Sequence, residues 1–448
     1  MKTKTPAAFF LLFLWITPFA MQGQTKETVL KLKDCIDYSL KNNPNSTIYT
    51  NNVELAQQQK NEALAGYLPQ INGSVAFDDN LKRQVTILPA GVFGPHETRL
   101  QFGSQYSTNA SVQLDQTIYD QTVFYATAAS KAGTAIADLQ LLQNNENLIY
   151  NTTVAYYQVL IYSEQEKLLL QNEKKYTELL NVLKLQYDRG VAKKIDYDRV
   201  KVSMNNITSQ KTVLETNKQL ALNRLKNAMG MDLTQSLVVE DSLNYNTQMN
   251  MPATLTFDVN NRLDYKIQEK NLVIQDLDVK RKKAAFFPVL SGYARYGGQA
   301  YSNQFDMAFD SWFDYSSVGL KLSVPIFSGL RRYSQLEESK LNYANAQENM
   351  KLSINNFQLQ YQNSTTQLLS SYTNLNNNKE NLDLAKDVFE STSLQYQKGT
   401  ASLSDFLNSD YAYKEAQSNY ITSLLNFLSG RLDYEKSQGT LSTYIKQL

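Results

Sequence analysis

Two short stretches carry the residues best placed to do chemistry, and they are nearly copies. Leu185-Gln186-Tyr187-Asp188-Arg189-Gly190 is followed six residues after its glycine by Asp196, and Leu394-Gln395-Tyr396-Gln397-Lys398-Gly399 is followed at the same interval by Asp405. A cation beside a glycine suits the end of a helix, where the glycine takes the left-handed turn and the cation lies near the negative end of the helix dipole. A carboxylate just past such a turn can cap the next helix. Neither arrangement is catalytic. With one Cys and one His, the chain lacks the residues for thiolate or imidazole metal clusters, internal disulfides and, unless His96 serves, a histidine triad. An enzyme would have to draw nucleophile and base from Asp, Glu, Tyr and Lys. Groups such as Glu337-Glu338 and Lys280-Arg281-Lys282-Lys283 read more simply as solvated helix surface. The net charge of +1 leaves no electrostatic footprint for nucleic acid.

The elements that position these stretches are long helices. From about Gln121 to Asp188 and from about Leu330 to Gln397 there is no proline, and Gly133 is the single interior glycine. Each run predicts a helix of about 100 Å. Tyr176, Leu180, Leu183 and Tyr187 recur at four-three-four spacing, as do Leu382, Ala385, Phe389, Thr392 and Tyr396, the pattern of coiled-coil packing. Gly190 and Gly399 then act as left-handed turns into return helices that run to about Gly230 and past Leu432. The whole punctuation repeats: Pro69 and Pro288 lie 219 positions apart, Ile118 and Ile326 lie 208 apart, and Gly230 and Gly439 lie 209 apart. A helical array has a far shorter period, so the chain reads as two copies of one unit, 25–240 and 241–448.

Ahead of each long helix the hydrophobic period changes to two. After a helix from about Leu30 to Lys41 and another from about Asn45 to Tyr67, Ile71, Val75 and Phe77 alternate with polar residues. On the returning strand Tyr106, Ala110, Val112, Leu114 and Ile118 share one face. The second copy has Leu290, Ala294 and Tyr296 against Trp312, Val318, Leu320, Leu322, Val324 and Ile326, so hairpins are expected over about 70–118 and 289–326. The four strands are long enough to cross a membrane when tilted. Four cannot close a barrel, and an open edge is not tolerated in lipid, so spanning requires several chains to share one barrel. Soluble hairpins packed on helices are the alternative. Leu237-Val238-Val239 reads as a short strand between the copies.

The amino terminus carries an address. Lys2 and Lys4 precede an apolar core from Ala7 to Ala20, followed by Gln22-Gly23-Gln24, the form of a cleaved secretory signal peptide at about 1–24. Cys35 lies well past this segment and reads as a buried thiol. The mean hydropathy of −0.43 excludes a bundle of membrane-spanning helices.

The signal peptide, the duplicated order of helix, strand pair, long helix, turn and return helix, and the junctions Gln116-Thr117-Ile118-Tyr119-Asp120 and Val324-Pro325-Ile326-Phe327-Ser328-Gly329 resemble the TolC-like outer membrane efflux proteins over essentially the whole mature chain. The resemblance implies an α+β membrane protein: a homotrimer with a 12-stranded β-barrel, four strands per chain, continued by a long α-helical coiled-coil tunnel across the periplasm. It implies an exit duct without cofactor or metal, working with a periplasmic membrane-fusion adaptor and an inner-membrane pump. Carried over residue by residue, the adaptor-contacting tips are Arg189-Gly190-Val191 and Lys398-Gly399-Thr400, and the periplasmic gate is Asp405 and Asn408 with a link from Tyr396 to Asp196. Asn408 stands where the best-known members have a second aspartate, and Ile195 with Ala401 replaces the partners of another link. One carboxylate ring of raised apparent pKa and an easily opened gate are expected. The competing reading, a secreted coiled-coil structural protein or adhesin, leaves the strands without a task. The inserted loop, with His96, would face outward and could plug or line the mouth.

Overall fold

A computed structural model describes residues 28–91, 94–240, 251–252 and 256–447. The expected signal peptide and Val92-Phe93 of the inserted loop lie outside them. The first copy holds β1 (Thr28–Leu30), α1 (Leu32–Asn42), α2 (Pro44–Ala65), β2 (Gln70–Asp79), β3 (Val85–Leu88), β4 (Thr98–Gln101), β5 (Tyr106–Tyr119), α3 (Gln121–Asp188) and α4 (Lys194–Met229), followed by β6 (Leu237–Val239). The second holds α5 (Leu263–Ala284), β7 (Val289–Ser302), β8 (Trp312–Ser323), α6 (Arg331–Gln397), α7 (Leu403–Gln438) and the short α8 (Leu441–Ile445). The major elements recur in one order, as the spacing of landmarks requires.

The strands form a four-stranded antiparallel sheet in the order β2-β5-β7-β8. Its register, with Ile71 opposite Leu114, Leu114 opposite Ala294 and Ala294 opposite Val318, carries the apolar residues across one face. That face is bare in the protomer: Val75 is 77% exposed and Val318 82%. The opposite face is polar, with Arg295 Nε donating to Gln113 Oε1 at 2.8 Å. After β7 the chain folds back over one end of the apolar face. Thr108 Oγ1 donates to the Ala308 carbonyl at 3.1 Å, and the rings of Phe305 and Phe309 come to 6.0 and 5.7 Å from Phe77. Together with Trp312 they form an aromatic band of the kind found at membrane interfaces.

Two strand boundaries differ from the periodicity. β8 ends at Ser323, so Val324 and Ile326 fall outside it. Pro325 has no N–H to give to the ladder. In β5 the register shifts between Thr117 and Tyr119, leaving Ile118 at a bulge. Non-local pairing adds elements that local pattern did not reveal. Thr28–Leu30 pairs in parallel with Leu237–Val239, so α1 begins only at Leu32. The inserted loop contains the β3–β4 hairpin, with His96 exposed in the connection between its two strands.

The junctions into the long helices explain where those helices start. Asp120 caps α3, its carboxylate accepting from the Thr122 amide at 2.8 Å. The second copy instead enters α6 through Gly329 and Leu330, both at positive φ. The main core lies partway along the long helices, where Tyr156, Tyr157, Leu160, Leu225, Leu368, Phe427 and Leu432 are buried with Cys35 and Ile36 of α1. Burial, with the charge of Asp34 adding to it, pushes the Cys35 thiol up to about 12. No helix among the described residues is long and apolar enough to cross a membrane.

Candidate functional site at the helical tip

Each hairpin turns through the same hydrogen-bond motif. The Gly190 amide donates to the Tyr187 carbonyl at 2.9 Å and the Val191 amide to Gln186 at 2.8 Å; Gly399 donates to Tyr396 at 3.0 Å and Thr400 to Gln395 at 2.9 Å. Both glycines are left-handed, with φ of 76° and 78°. Arg189, Gly190 and Val191, with Lys398, Gly399 and Thr400, are all exposed. Nothing stands within 4 Å of a side chain built on either glycine, so the tips present open backbone.

Behind the turns sits a second, smaller core that draws on four helices: Tyr176 and Leu183 of α3, Val200 and Ile207 of α4, Phe389 of α6, and Leu403 and Phe406 of α7. Phe389 stacks on Tyr413 at 5.5 Å, and Tyr396 on Phe406 at 5.2 Å. The tip is therefore a joint between two hairpins, each of which is packed along its own length.

The predicted gate residues fall at this joint. Asp405 occupies the third position of α7 in a capping box: its amide donates to Ser402 Oγ at 3.1 Å, and its carboxylate accepts from the Ser402 hydroxyl at 2.7 Å and amide at 3.1 Å. In the protomer these bonds, the hydroxyl's first, hold the Asp405 carboxyl below the usual carboxylate range, opposite to the rise expected of a ring. Asn408 is exposed one turn further on. Tyr396 and Asp196 are brought close without being bonded: burial first, then the Asp196 charge, raises the Tyr396 phenol, and its ring lies on Phe406. Asp196 sits in the first turn of α4, whose cap residue Lys193 makes no side-chain bond. A hydrogen bond from Arg199 Nη1 to Ser404 Oγ at 3.0 Å joins α4 to α7 instead. No group of metal-ligating side chains occurs among the described residues.

Sequence reasoning missed Arg199, and it missed Asp410, which is fully buried in the seam between α3 and α7. A signal for Asp410 was present. Leu403, Phe406 and Asp410 continue an apolar stripe at three-four spacing, so the last of them is a carboxylate at a core position.

Residues 36–231 and 259–431 match the model of the family described as outer membrane efflux protein. Outer membrane protein TolC of Escherichia coli is 22% identical over 362 residues, covering 75% of this chain and 70% of that protein. The alkaline protease secretion protein AprF of Pseudomonas aeruginosa is 20% identical over 422 residues, covering 90% and 85%. In fold, the chain resembles the crystal structure of the Campylobacter jejuni CmeC outer membrane channel with a TM-score of 0.74 at 18% identity, over 100% of this chain and 97% of that one. The matched segments take in both strand pairs and both tip hairpins, and on that ground the chain belongs to the outer membrane efflux protein family.

Proposed function

We propose that three copies of this chain form one continuous duct, a 12-stranded barrel through the outer membrane opening into a helical tunnel in the periplasm, each copy contributing its two repeats, 25–240 and 241–448. One observation carries the reading. Among the described residues the four-stranded sheet has β2 and β8 as edges without partners, while one face of it is largely apolar and much of that face is exposed. Unpaired strand edges are not tolerated in lipid, and a closed cyclic assembly removes every one of them. The family is one of ducts rather than enzymes, and this chain's part is passive: it conducts whatever an inner-membrane pump delivers through a periplasmic adaptor. In detergent the particle should have a mass near three times the 51.0 kDa precursor, less signal peptides, and should conduct ions in a planar bilayer. A monomer without currents would return the strands to soluble hairpins.

The exposed cation-glycine turns are the adaptor's docking points. Reversing both charges, Arg189→Glu with Lys398→Glu, should abolish copurification of the adaptor with tagged trimers while assembly is unchanged. Undiminished adaptor yield would exclude the tips as the docking surface.

Asp405 and Asn408 face the axis as the constriction, and Asp405 supplies its charge. The capping role dictates the test. Asp405→Asn keeps an acceptor for Ser402 and removes only the charge, so cation selectivity in single-channel recordings should fall without loss of trimer. Unchanged selectivity would show that Asp405 is a cap and nothing more. In the protomer, where the carboxyl is held low, the cap's ionic contribution to stability is present at neutral pH. It is lost only as pH falls through that depressed value.

A further inference from the structure

At the end of the sheet from which the long helices leave, Leu290 opposite Leu322 closes the apolar face. Apolar exposure continues past it: Phe286 and Phe287 precede β7 and are exposed, and Ile326 and Phe327 after β8 are 94% and 81% exposed. Four cations stand within five residues of these side chains. Lys282 and Lys283 lie in the last turn of α5, and Arg331 and Arg332 open α6. Lys280 and Arg281, earlier in the same basic run, are ion-paired within α5 to Asp276 at 2.7 Å and Asp278 at 2.6 Å. The other four have no carboxylate partner among the described residues.

The helices themselves do not call for these charges. A helix dipole disfavours cations at its start, which is where Arg331 and Arg332 sit. The duplication gives a direct comparison. α3 opens with Gln121-Thr122, and at the spacing of Pro69 and Pro288 the counterparts of Lys282 and Lys283 are Ala63 and Leu64. The first copy thus builds the same junction without a cation at these positions. An apolar rim bordered by unpaired Lys and Arg fits an acidic membrane surface, with the stems laid along hydrocarbon and the charges at the level of the phosphates. We propose that Lys282, Lys283, Arg331 and Arg332 form a basic collar that binds the phosphates of anionic phospholipid in the leaflet facing the periplasm. This rests on the duct reading above, which sets this end of the sheet at the periplasmic face of the membrane.

The test is the affinity of purified trimers in neutral detergent for phosphatidylglycerol, titrated and counted by native mass spectrometry, with phosphatidylcholine as the reference. The unaltered chain should prefer phosphatidylglycerol, and added salt should weaken that preference. Two variants install the residues of the first copy: Arg331→Gln with Arg332→Thr, and Lys282→Ala with Lys283→Leu. A cation near an anionic surface is worth about fivefold in binding, so each pair should cost about tenfold or more towards phosphatidylglycerol and leave phosphatidylcholine unchanged. Arg331→Lys with Arg332→Lys keeps the charge and should keep most of the affinity. Trimers that conduct but bind both lipids equally would overturn the collar and leave the duct standing. Variants that lose the trimer in neutral detergent would assign the cations to the contact between subunits, which also overturns it. A chain that forms neither trimers nor currents would remove the duct reading, and the collar with it.

Discussion

Val318→Arg should remove the trimer from the outer membrane. Val318 lies in the middle of β8 on the apolar face, opposite Ala294, and is 82% exposed in the protomer. If that face meets lipid, an arginine there costs about 2–4 kcal/mol per chain near the bilayer midplane, and three chains bear it together. The sum is comparable to the whole stability of an ordinary domain. The heat-modifiable trimer band and the outer-membrane fraction should both collapse. Asn72→Arg is the internal control, because Asn72 lies on the polar face opposite Gln113. It should leave the trimer intact and shift ion selectivity. Normal trimers from Val318→Arg would mean that the apolar face is covered by protein instead of lipid.

The second large effect is expected from a glycine remote from the sheet. Gly230 ends α4 at φ +71°, and a Cβ there would stand 2.7 Å from Asn43 Cα and 3.0 Å from the Asn42 carbonyl. Gly439 ends α7 at φ +76°, with its Cβ 2.7 Å from the Asn261 carbonyl. In both copies the end of the return helix is pressed against the backbone at the entry to a shorter helix, α2 in one case and α5 in the other. Gly230→Ala combines the left-handed penalty with a backbone clash that no rotamer relieves, about 2–5 kcal/mol in all. Gly190→Ala has the same sign of φ but nothing within 4 Å, so it should cost only about 1–2 kcal/mol. Thermal dissociation of the trimer should rank the two accordingly, and equal losses would contradict the close approach at Gly230.

How legible each feature was depends on how far apart its causes lie. The helix-to-strand boundaries at Pro69 and Pro288, the two-residue period of Ile71 to Phe77 and the turn glycines are local signals, and the structure places them as read. The ends of β8 and the bulge at Ile118 required knowing which strand lies alongside. At the tip, Arg189, Gly190, Lys398 and Gly399 are where the turn chemistry puts them. The link from Tyr396 was less accessible, because a tyrosine on a coiled-coil stripe has equal cause to stack, and here it stacks on Phe406.

By itself the amino-acid sequence determined the duplication, the two long helical hairpins with their glycine turns, and the apolar and polar faces of the four strands. All of these follow from period, punctuation and residue type within one stretch of chain. Only the tertiary structure decided that Thr28–Leu30 pairs with a segment beyond α4, that the β7–β8 connection folds over the apolar face, that Asp405 is tied to Ser402, and that Asp410 is sealed between α3 and α7. The physical reason is common to the pairing, the fold-back and the seal at Asp410. Burial and hydrogen-bond partnership are set by whichever element arrives from elsewhere in the chain, and a carboxylate on a stripe is buried where another helix brings it a donor and a cation.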